Sequence, residues 1–288
     1  MGKSREYRTT AVFRKVKESL SDLYGRESMN LASLLLQDIL GIDRIACFSD
    51  RIVLLEESQL TRLENALERL DKHEPVQYIL GKAHFLGREF LVGRGVLIPR
   101  QETEGLAGMV TEQNMNSLPR ILDIGCGSGC IAVSLALDIP GADVYAIDIS
   151  PEAVQVTRKN ALRLGAELKI FQFDVFDKLP PWPEFDVIVS NPPYVTDTDK
   201  MTMDKRVVAY EPEQALYVSD ENPLIYYNRI ASISSSTLRP GGKLYFEINE
   251  SFGIQVRDLL RSMGFEAVRI VPDIHGKVRF VQSSKPHK

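Results

Sequence analysis

Downstream of Leu118 the chain alternates short apolar runs with helical patterns, and this alternation restricts the fold more than any other feature. The runs at 120–124, 144–149, 168–173, 185–190 and 243–248 read as strands, and helical periodicity fills 129–138, 151–164, 222–238 and 252–263. Strands separated by helices of this length are joined by crossovers and lie parallel. The prediction is a doubly wound α/β sheet. Ser150-Pro151 opens one of the helices, with proline at the first helical position, where its missing N–H is not needed. The tail, 267–272 and 277–282, reads as two further strands joined at Asp273-Ile274-His275-Gly276.

Ahead of this domain, residues 9–74 read as a small helical bundle. Val12, Val16, Leu20 and Leu23 share one face, as do Leu31, Leu34, Leu35 and Ile39, and again Leu60, Leu63, Leu67 and Leu70. Gly25 and Gly41 stand where helices would end. Pattern alone fits a structural lid and a recognition module equally. At His73-Glu74-Pro75 the period changes, and 75–100 reads as strand-like connector with a hairpin turning at Gly87-Arg88. Thr103 is placed to cap a helix running to Asn114. The predicted organisation is therefore 1–74 helical, 75–100 hairpin linker and 101–288 α/β domain.

Composition excludes several classes. Lys and Arg number 35 against 39 Asp and Glu, a net charge of −4, which argues against a protein built to lie on nucleic-acid backbone. No apolar run approaches the roughly 18 residues of a membrane span, and the first residues lack an apolar signal core. Cys47, Cys126 and Cys130 cannot build a disulfide framework, so the expected location is a reducing one, the cytoplasm. Cys126 and Cys130 have no second Cys/His pair beside them, and His73, His84, His275 and His287 are scattered, so no metal is expected.

Four segments carry the chemistry. Gly125-Cys126-Gly127-Ser128-Gly129 follows a strand and opens a helix, where glycines let backbone N–H groups approach a ligand. The spacing is one residue short of the dinucleotide fingerprint, and an acid, Asp123, stands two residues before the first glycine. Asp148 ends the second strand, where a carboxylate can accept both hydroxyls of a ribose; acids often end strands, so the glycine loop gives this one its weight. Asp174 and Val175 end the third, placed for an adenine amino group and ring face, or simply for a turn. Asn191-Pro192-Pro193-Tyr194 ends the fourth. Two prolines fix that backbone, and the Asn191 side-chain oxygen and Pro192 carbonyl then aim two acceptors at one point. That arrangement suits an NH₂ group with two hydrogens to give, and Tyr194 offers it a flat surface.

The glycine loop with Asn-Pro-Pro-Tyr resembles methyltransferases that alkylate planar NH₂ nitrogens. Two groups share these features: nucleic-acid amino-methyltransferases, and the protein-(glutamine-N5) methyltransferases of peptide-chain release factors (the HemK/PrmC family). Pro75-Val76-Gln77-Tyr78-Ile79-Leu80-Gly81 and Leu97-Ile98-Pro99-Arg100-Gln101-Glu102-Thr103-Glu104 resemble the second family, as does the helical first 70 or so residues. The sequence departs at Gln101, usually proline there, at Cys126, and at Val175, often aromatic. The resemblance implies a Rossmann-like methyltransferase domain that uses S-adenosyl-L-methionine. Gly125, Cys126, Gly127, Ser128, Gly129, Asp148, Asp174, Val175 and Asn191 would hold the cofactor, and Asn191, Pro192, Pro193 and Tyr194 the substrate. It also implies methylation of the Gln in a Gly-Gly-Gln loop of release factors, recognised through residues 1–74, with no membrane and no nucleic-acid substrate. The competing readings are nucleic-acid amino methylation and a non-catalytic S-adenosylmethionine sensor. A sensor has no use for two converging NH₂ acceptors.

Overall fold

The computed structural model describes residues 4–287. They divide into two compact units, 4–81 with 205–210, and 82–204 with 211–287. In the first, β1 (Ser4–Arg8) precedes α1 (Thr9–Tyr24) and α2 (Ser28–Leu40); β2 (Ile52–Glu56), α3 (Glu57–Asp71) and α4 (Val76–Leu80) follow. Gly25 and Gly41 end α1 and α2 at positive φ, as expected. Val16, Leu20, Leu35, Leu36, Leu55, Leu63 and Leu70 meet in its core.

Two elements depart from the sequence reading. Residues 52–56 are not helical: β2 pairs antiparallel with β1. Leu55 points into the core, while Ile52 and Leu54 stay 62% and 66% exposed on the other face of this ribbon. Residues 76–80 are a short helix, not a strand. Pro75 precedes it and Gly81, at φ 73°, ends it. The Arg69 guanidinium binds the buried Glu74 carboxylate at 2.8 Å and the carbonyls of Tyr78 and Ile79, tying α3 to α4.

The second unit begins with the hairpin β3 (Lys82–Phe85) and β4 (Arg88–Leu91). Its turn is Leu86-Gly87, both at positive φ, one residue earlier than expected. The Leu86 N–H donates to Glu104 Oε1 at 2.8 Å, which supports a leucine in that uncommon conformation. Next come α5 (Gln101–Asn114), β5 (Arg120–Ile124), α6 (Cys130–Asp138), β6 (Asp143–Asp148), α7 (Pro151–Leu164), β7 (Lys169–Gln172) and β8 (Phe185–Ser190). Short elements follow: β9 (Val195–Thr196), α8 (Asp197–Lys200), α9 (Lys205–Tyr210, part of the first unit), α10 (Glu213–Leu216) and β10 (Tyr217–Val218). The chain ends with α11 (Ile225–Thr237), β11 (Leu238–Glu247), α12 (Gly253–Ser262), β12 (Glu266–Pro272) and β13 (Val278–Ser284).

Seven strands form one sheet in the order β12-β13-β11-β8-β5-β6-β7, parallel from β11 to β7 and antiparallel around β13. The chain runs outward from β5 to β7, then returns to β8 on the other side of β5. A crevice therefore opens beyond the carboxyl ends of β5 and β8. The expected doubly wound α/β fold is present. The α5 and α6 side chains Leu106, Val110, Ala132 and Leu135 cover one sheet face, and Tyr227, Ile230, Val256 and Leu260 of α11 and α12 cover the other. Buried on both faces, β5 and β8 read as nearly continuous apolar runs.

Candidate functional site

A cavity of about 270 Å³ lies at this crevice, lined by Gly125, Gly127, Asp148, Asp174, Val175, Asn191, Pro192 and Pro193 among others. Those eight predicted residues come from the ends of four neighbouring parallel strands. Cys126, Ser128 and Gly129, also expected at the cofactor, do not line the cavity. Cys126 Sγ is buried 3.4 Å from Thr157 Oγ1. The Ser128 carbonyl accepts from Asn160 Nδ2 at 2.8 Å. Gly129 caps α6 at φ 80°, and a Cβ there would stand 2.7 Å from Thr157 Cγ2, so only glycine lets α6 and α7 approach this closely. The three shape the loop from behind.

The loop is not a cradle of free N–H groups either. Gly125 and Cys126 both donate to the Ile147 carbonyl, at 2.9 and 3.0 Å. Gly127 donates to Asp148 Oδ2 at 2.8 Å, and Gly129 to the Cys126 carbonyl at 2.7 Å. With these four donors committed inside the protein, the loop suits a cofactor without phosphates. Asp148 Oδ1 accepts from Ser150 N at 2.9 Å. Burial pushes the Asp148 carboxyl up, while the N–H groups of Ser150, Gly127 and Ile149 act the other way. A carboxylate has about four lone-pair sites, so these bonds leave acceptor capacity for a ribose hydroxyl.

At the end of β7, Asp174 Oδ1 accepts from Phe176 N at 2.8 Å, and Arg229 of α11 holds the carbonyls of Val175 and Asp177 at 2.5 and 2.8 Å. Sequence reasoning left the aromatic contact at Val175 in doubt. The cavity takes its aromatic wall instead from Phe173, Phe176 and Tyr226, the last two with ring centroids 5.5 Å apart. Val96, Leu97 and Gln214 also line it and were not foreseen. Leu97 opens the segment 97–104, which bears only the family resemblance, and Val96 and Gln214 stand outside any motif.

Asn191 and Pro192 border both this cavity and a smaller adjoining recess of about 40 Å³, walled by Leu97, Arg100, Tyr194 and Ala215. Tyr194 does not line the main cavity. Its ring borders the recess, and its hydroxyl donates to Glu247 Oε1 at 3.0 Å. Burial and the Glu247 charge hold the phenol far above the usual tyrosine range, so it acts as a neutral donor. Thr103 is not a helix cap: Arg100 occupies that position, and Thr103 Oγ1 donates to Glu247 Oε2 at 2.7 Å. Asn191 Nδ2 donates to Thr103 Oγ1 at 3.3 Å. Burial pushes the Glu247 carboxyl up, while its bonds from Thr103 and Tyr194 and the charge of Arg279 pull it down. Arg100 and the Ile98 N–H hold the buried Glu211 carboxylate at 2.6 and 3.2 Å, fixing the approach to α10 on the cavity rim.

Asp123 lies fully buried behind the loop. Its Oδ2 accepts from Ala132 N at 3.1 Å, Oδ1 has no partner, and burial, with the charge of Asp148 adding, raises its pKa to about 7. An ordinary aspartate titrates near about 3.9. The folded chain therefore binds a proton here that the unfolded chain has released, and the stability this gives is full below about pH 4 and lost as pH rises through about 7. Asp123→Asn is expected to make the urea midpoint fall less between pH 5 and pH 8 than it does in the parent chain. An unchanged difference would show that Asp123 does not titrate in this range. The thiols of Cys126 and Cys130 are also pushed up by burial, Cys130 to about 12, so neither is a ready nucleophile. Among the described residues no cluster of His, Cys, Asp or Glu could hold a metal ion, and no helix is long and apolar enough to cross a membrane.

The crevice at the switch point thus gathers the glycine loop, the acids ending β6 and following β7, and the Asn-Pro-Pro-Tyr loop, in a domain of methyltransferase class. The methyltransferase small domain family matches residues 103–216, and the PrmC N-terminal domain family matches residues 11–81. The release factor glutamine methyltransferase of Bacteroides thetaiotaomicron is 44% identical over 94% of this chain and 98% of its own length. That of Streptococcus pneumoniae is 36% identical over 88% and 90%. The chain belongs to the release factor glutamine methyltransferase family. Among solved structures, the hMettl16 catalytic domain in complex with the MAT2A 3′UTR hairpin 6 superposes with a TM-score of 0.56 at 17% identity, covering 90% of this chain and 92% of that one. A methyltransferase from Pyrococcus furiosus gives 0.52 at 15% identity, covering 77% and 99%. At such identities these two establish the fold alone.

Proposed function

We propose that this chain methylates the side-chain amide nitrogen of the Gln in the Gly-Gly-Gln loop of peptide-chain release factors, with S-adenosyl-L-methionine as donor. The observation that carries this reading is the position of Asn191 and Pro192 on the wall shared by the cavity and the recess. When bound, S-adenosyl-L-methionine supplies an electrophilic methyl group with a good leaving group already attached. Asp148 accepts the ribose hydroxyls, and Asp174 with the Val175 N–H takes the adenine edge between Phe173, Phe176 and Tyr226. Asn191 Oδ1 and the Pro192 carbonyl accept the two N–H groups of the substrate amide, and Tyr194 borders its plane.

An amide nitrogen is a poor nucleophile because its lone pair is delocalised into the carbonyl. Two acceptors on its hydrogens orient the nitrogen and stabilise the positive charge that develops on it. Positioning and electrostatics then carry most of the acceleration. Three free thiols fit a reducing compartment, and the cytoplasm is the location we assign.

A Gln loop entering a recess offers little area, whereas specific protein interfaces bury about 1,200–2,000 Å² in total. The first unit is the proposed second contact. Ile52 and Leu54 lie exposed on its two-stranded ribbon, an apolar surface suited to a protein partner. Ile52→Ser with Leu54→Ser is expected to raise KM for whole release factor several-fold and leave cofactor affinity unchanged. An unaltered KM would remove this ribbon from the contact. The reading as a whole is tested by supplying labelled cofactor with release factor, DNA or RNA. Label should pass to the release factor and to neither nucleic acid; label on nucleic acid instead would reject it.

A further inference from the structure

We propose that Thr103 and Glu247 are positioning residues for methyl transfer: the buried Glu247 carboxylate takes the only hydroxyl hydrogen of Thr103, and Thr103 can then hold only the NH₂ end of the Asn191 amide, so that the amide oxygen is the end presented to substrate. This rests on the reading of Asn191 as an acceptor for the substrate NH₂.

A side-chain amide has two ends of similar shape and opposite polarity. An asparagine facing a cavity can turn about its last torsion and offer either. Only the oxygen serves a nucleophile that must give hydrogens away; the NH₂ end would meet the substrate NH₂ donor to donor. Something has to set the polarity, and the surroundings of Asn191 do so. Glu247 is fully buried at the end of β11, and both of its carboxylate oxygens act as acceptors. Two hydroxyls face it from different elements, Thr103 of α5 at 2.7 Å and Tyr194 at 3.0 Å, one on each oxygen.

Thr103 is itself buried, and its single hydrogen is committed to the 2.7 Å bond. What its oxygen turns toward Asn191 is lone pairs alone. Asn191 Nδ2 donates there at 3.3 Å. The flipped amide would set oxygen against oxygen at the same place. The polarity thus runs one way from Glu247 through Thr103 to Asn191 and out to the substrate. A buried carboxylate is costly unless fully hydrogen-bonded. Its two donors here are a residue of the Asn-Pro-Pro-Tyr loop and the residue that holds Asn191, so both of its bonds bear on the acceptor loop.

The test is single-turnover methyl transfer to release factor, with cofactor affinity measured in parallel, for the full-length chain and for Thr103→Val, Thr103→Ser, Asn191→Ala and the double variant Asn191→Ala/Thr103→Val. Thr103→Val keeps the shape and removes the hydroxyl. Transfer should fall roughly tenfold, the worth of one well-placed hydrogen bond, with cofactor affinity unchanged. Thr103→Ser, which keeps the hydroxyl, should recover most of the rate. Without the Asn191 amide there is nothing to orient, so Thr103→Val should cost nothing further in the Asn191→Ala background. Thr103→Ala makes the same deletion without a second methyl and serves if the valine variant does not fold. Wild-type transfer by the hydroxyl-deleted variants, or losses that multiply in the double variant, would overturn the positioning role while leaving Asn191 in place. Wild-type transfer by Asn191→Ala alone would overturn the acceptor reading as well.

Discussion

Asn191→Ala is expected to lower methyl transfer roughly 10²–10³-fold, the usual cost of deleting one preorganised hydrogen-bond partner from a reacting centre. Asn191 is the one residue of its loop with a side-chain amide oxygen, and it lies on the wall between cavity and recess. The loop follows β8, whose buried residues belong to the core, but Asn191 itself is only partly buried. The substitution should therefore leave the fold intact. Cofactor affinity should change much less than the rate, because Gly125, Gly127, Asp148, Asp174 and the aromatic side chains supply other parts of that wall. Asn191→Asp keeps an oxygen but adds a negative charge facing the site of a cationic sulfonium, and would pair with it unproductively; transfer by this variant should also fall. Single-turnover rates set beside cofactor dissociation constants separate the two effects. Near-normal transfer by Asn191→Ala would mean that the Pro192 carbonyl and the tyrosine suffice.

Asp148→Ala should act on the other quantity. The carboxylate accepts from Gly127 N at 2.8 Å and Ser150 N at 2.9 Å, so it ties the glycine loop to the start of α7 in addition to facing the cavity. Hydrogen bonds to a charged group are each worth about 1.5–3 kcal/mol. Losing the cofactor's share, with some slackening of the loop, should weaken cofactor binding by about 3 kcal/mol, or roughly 10²-fold. Asp148→Asn keeps one acceptor oxygen and should fall between. Calorimetric titration with cofactor measures both. An unchanged dissociation constant in Asp148→Ala would remove this residue from the cofactor site.

The parallel core was the most legible part of the chain because its signals are local. The run at 120–124 and the Ser150-Pro151 start became β5 and α7 with the predicted bounds, Ser150 Oγ capping Ala153 N at 3.2 Å. The ribbon β1–β2 was not legible. Ile52-Val53-Leu54-Leu55 is a short apolar run between two amphipathic helices, and only its pairing with the distant Ser4–Arg8 makes it a strand. Residues 76–80 carry β-branched side chains and read as extended, yet tertiary contacts to Arg69 hold them helical.

The site divides the same way. Each loop at a strand end announced itself, and the structure brings eight of those residues to one cavity. Which residues of the glycine loop border the cavity was not legible, because whether a backbone N–H is free depends on which carbonyl lies opposite, as that of Ile147 does for Gly125 and Cys126. Glu247 and Thr103 stand 144 positions apart in the sequence and meet only through the fold. One signal was available: an acid ending the otherwise apolar run Leu244-Tyr245-Phe246 of a central strand is expensive to bury and asks for a reason.

The most direct measurement is mass spectrometry of the Gly-Gly-Gln peptide of a release factor after incubation with the full chain and S-adenosyl-L-methionine. A single methyl group on the side-chain nitrogen of the Gln, missing when Asn191→Ala replaces the parent chain for the same interval, is the predicted result. An unmodified Gln, or a methyl group placed on any other residue, would contradict it.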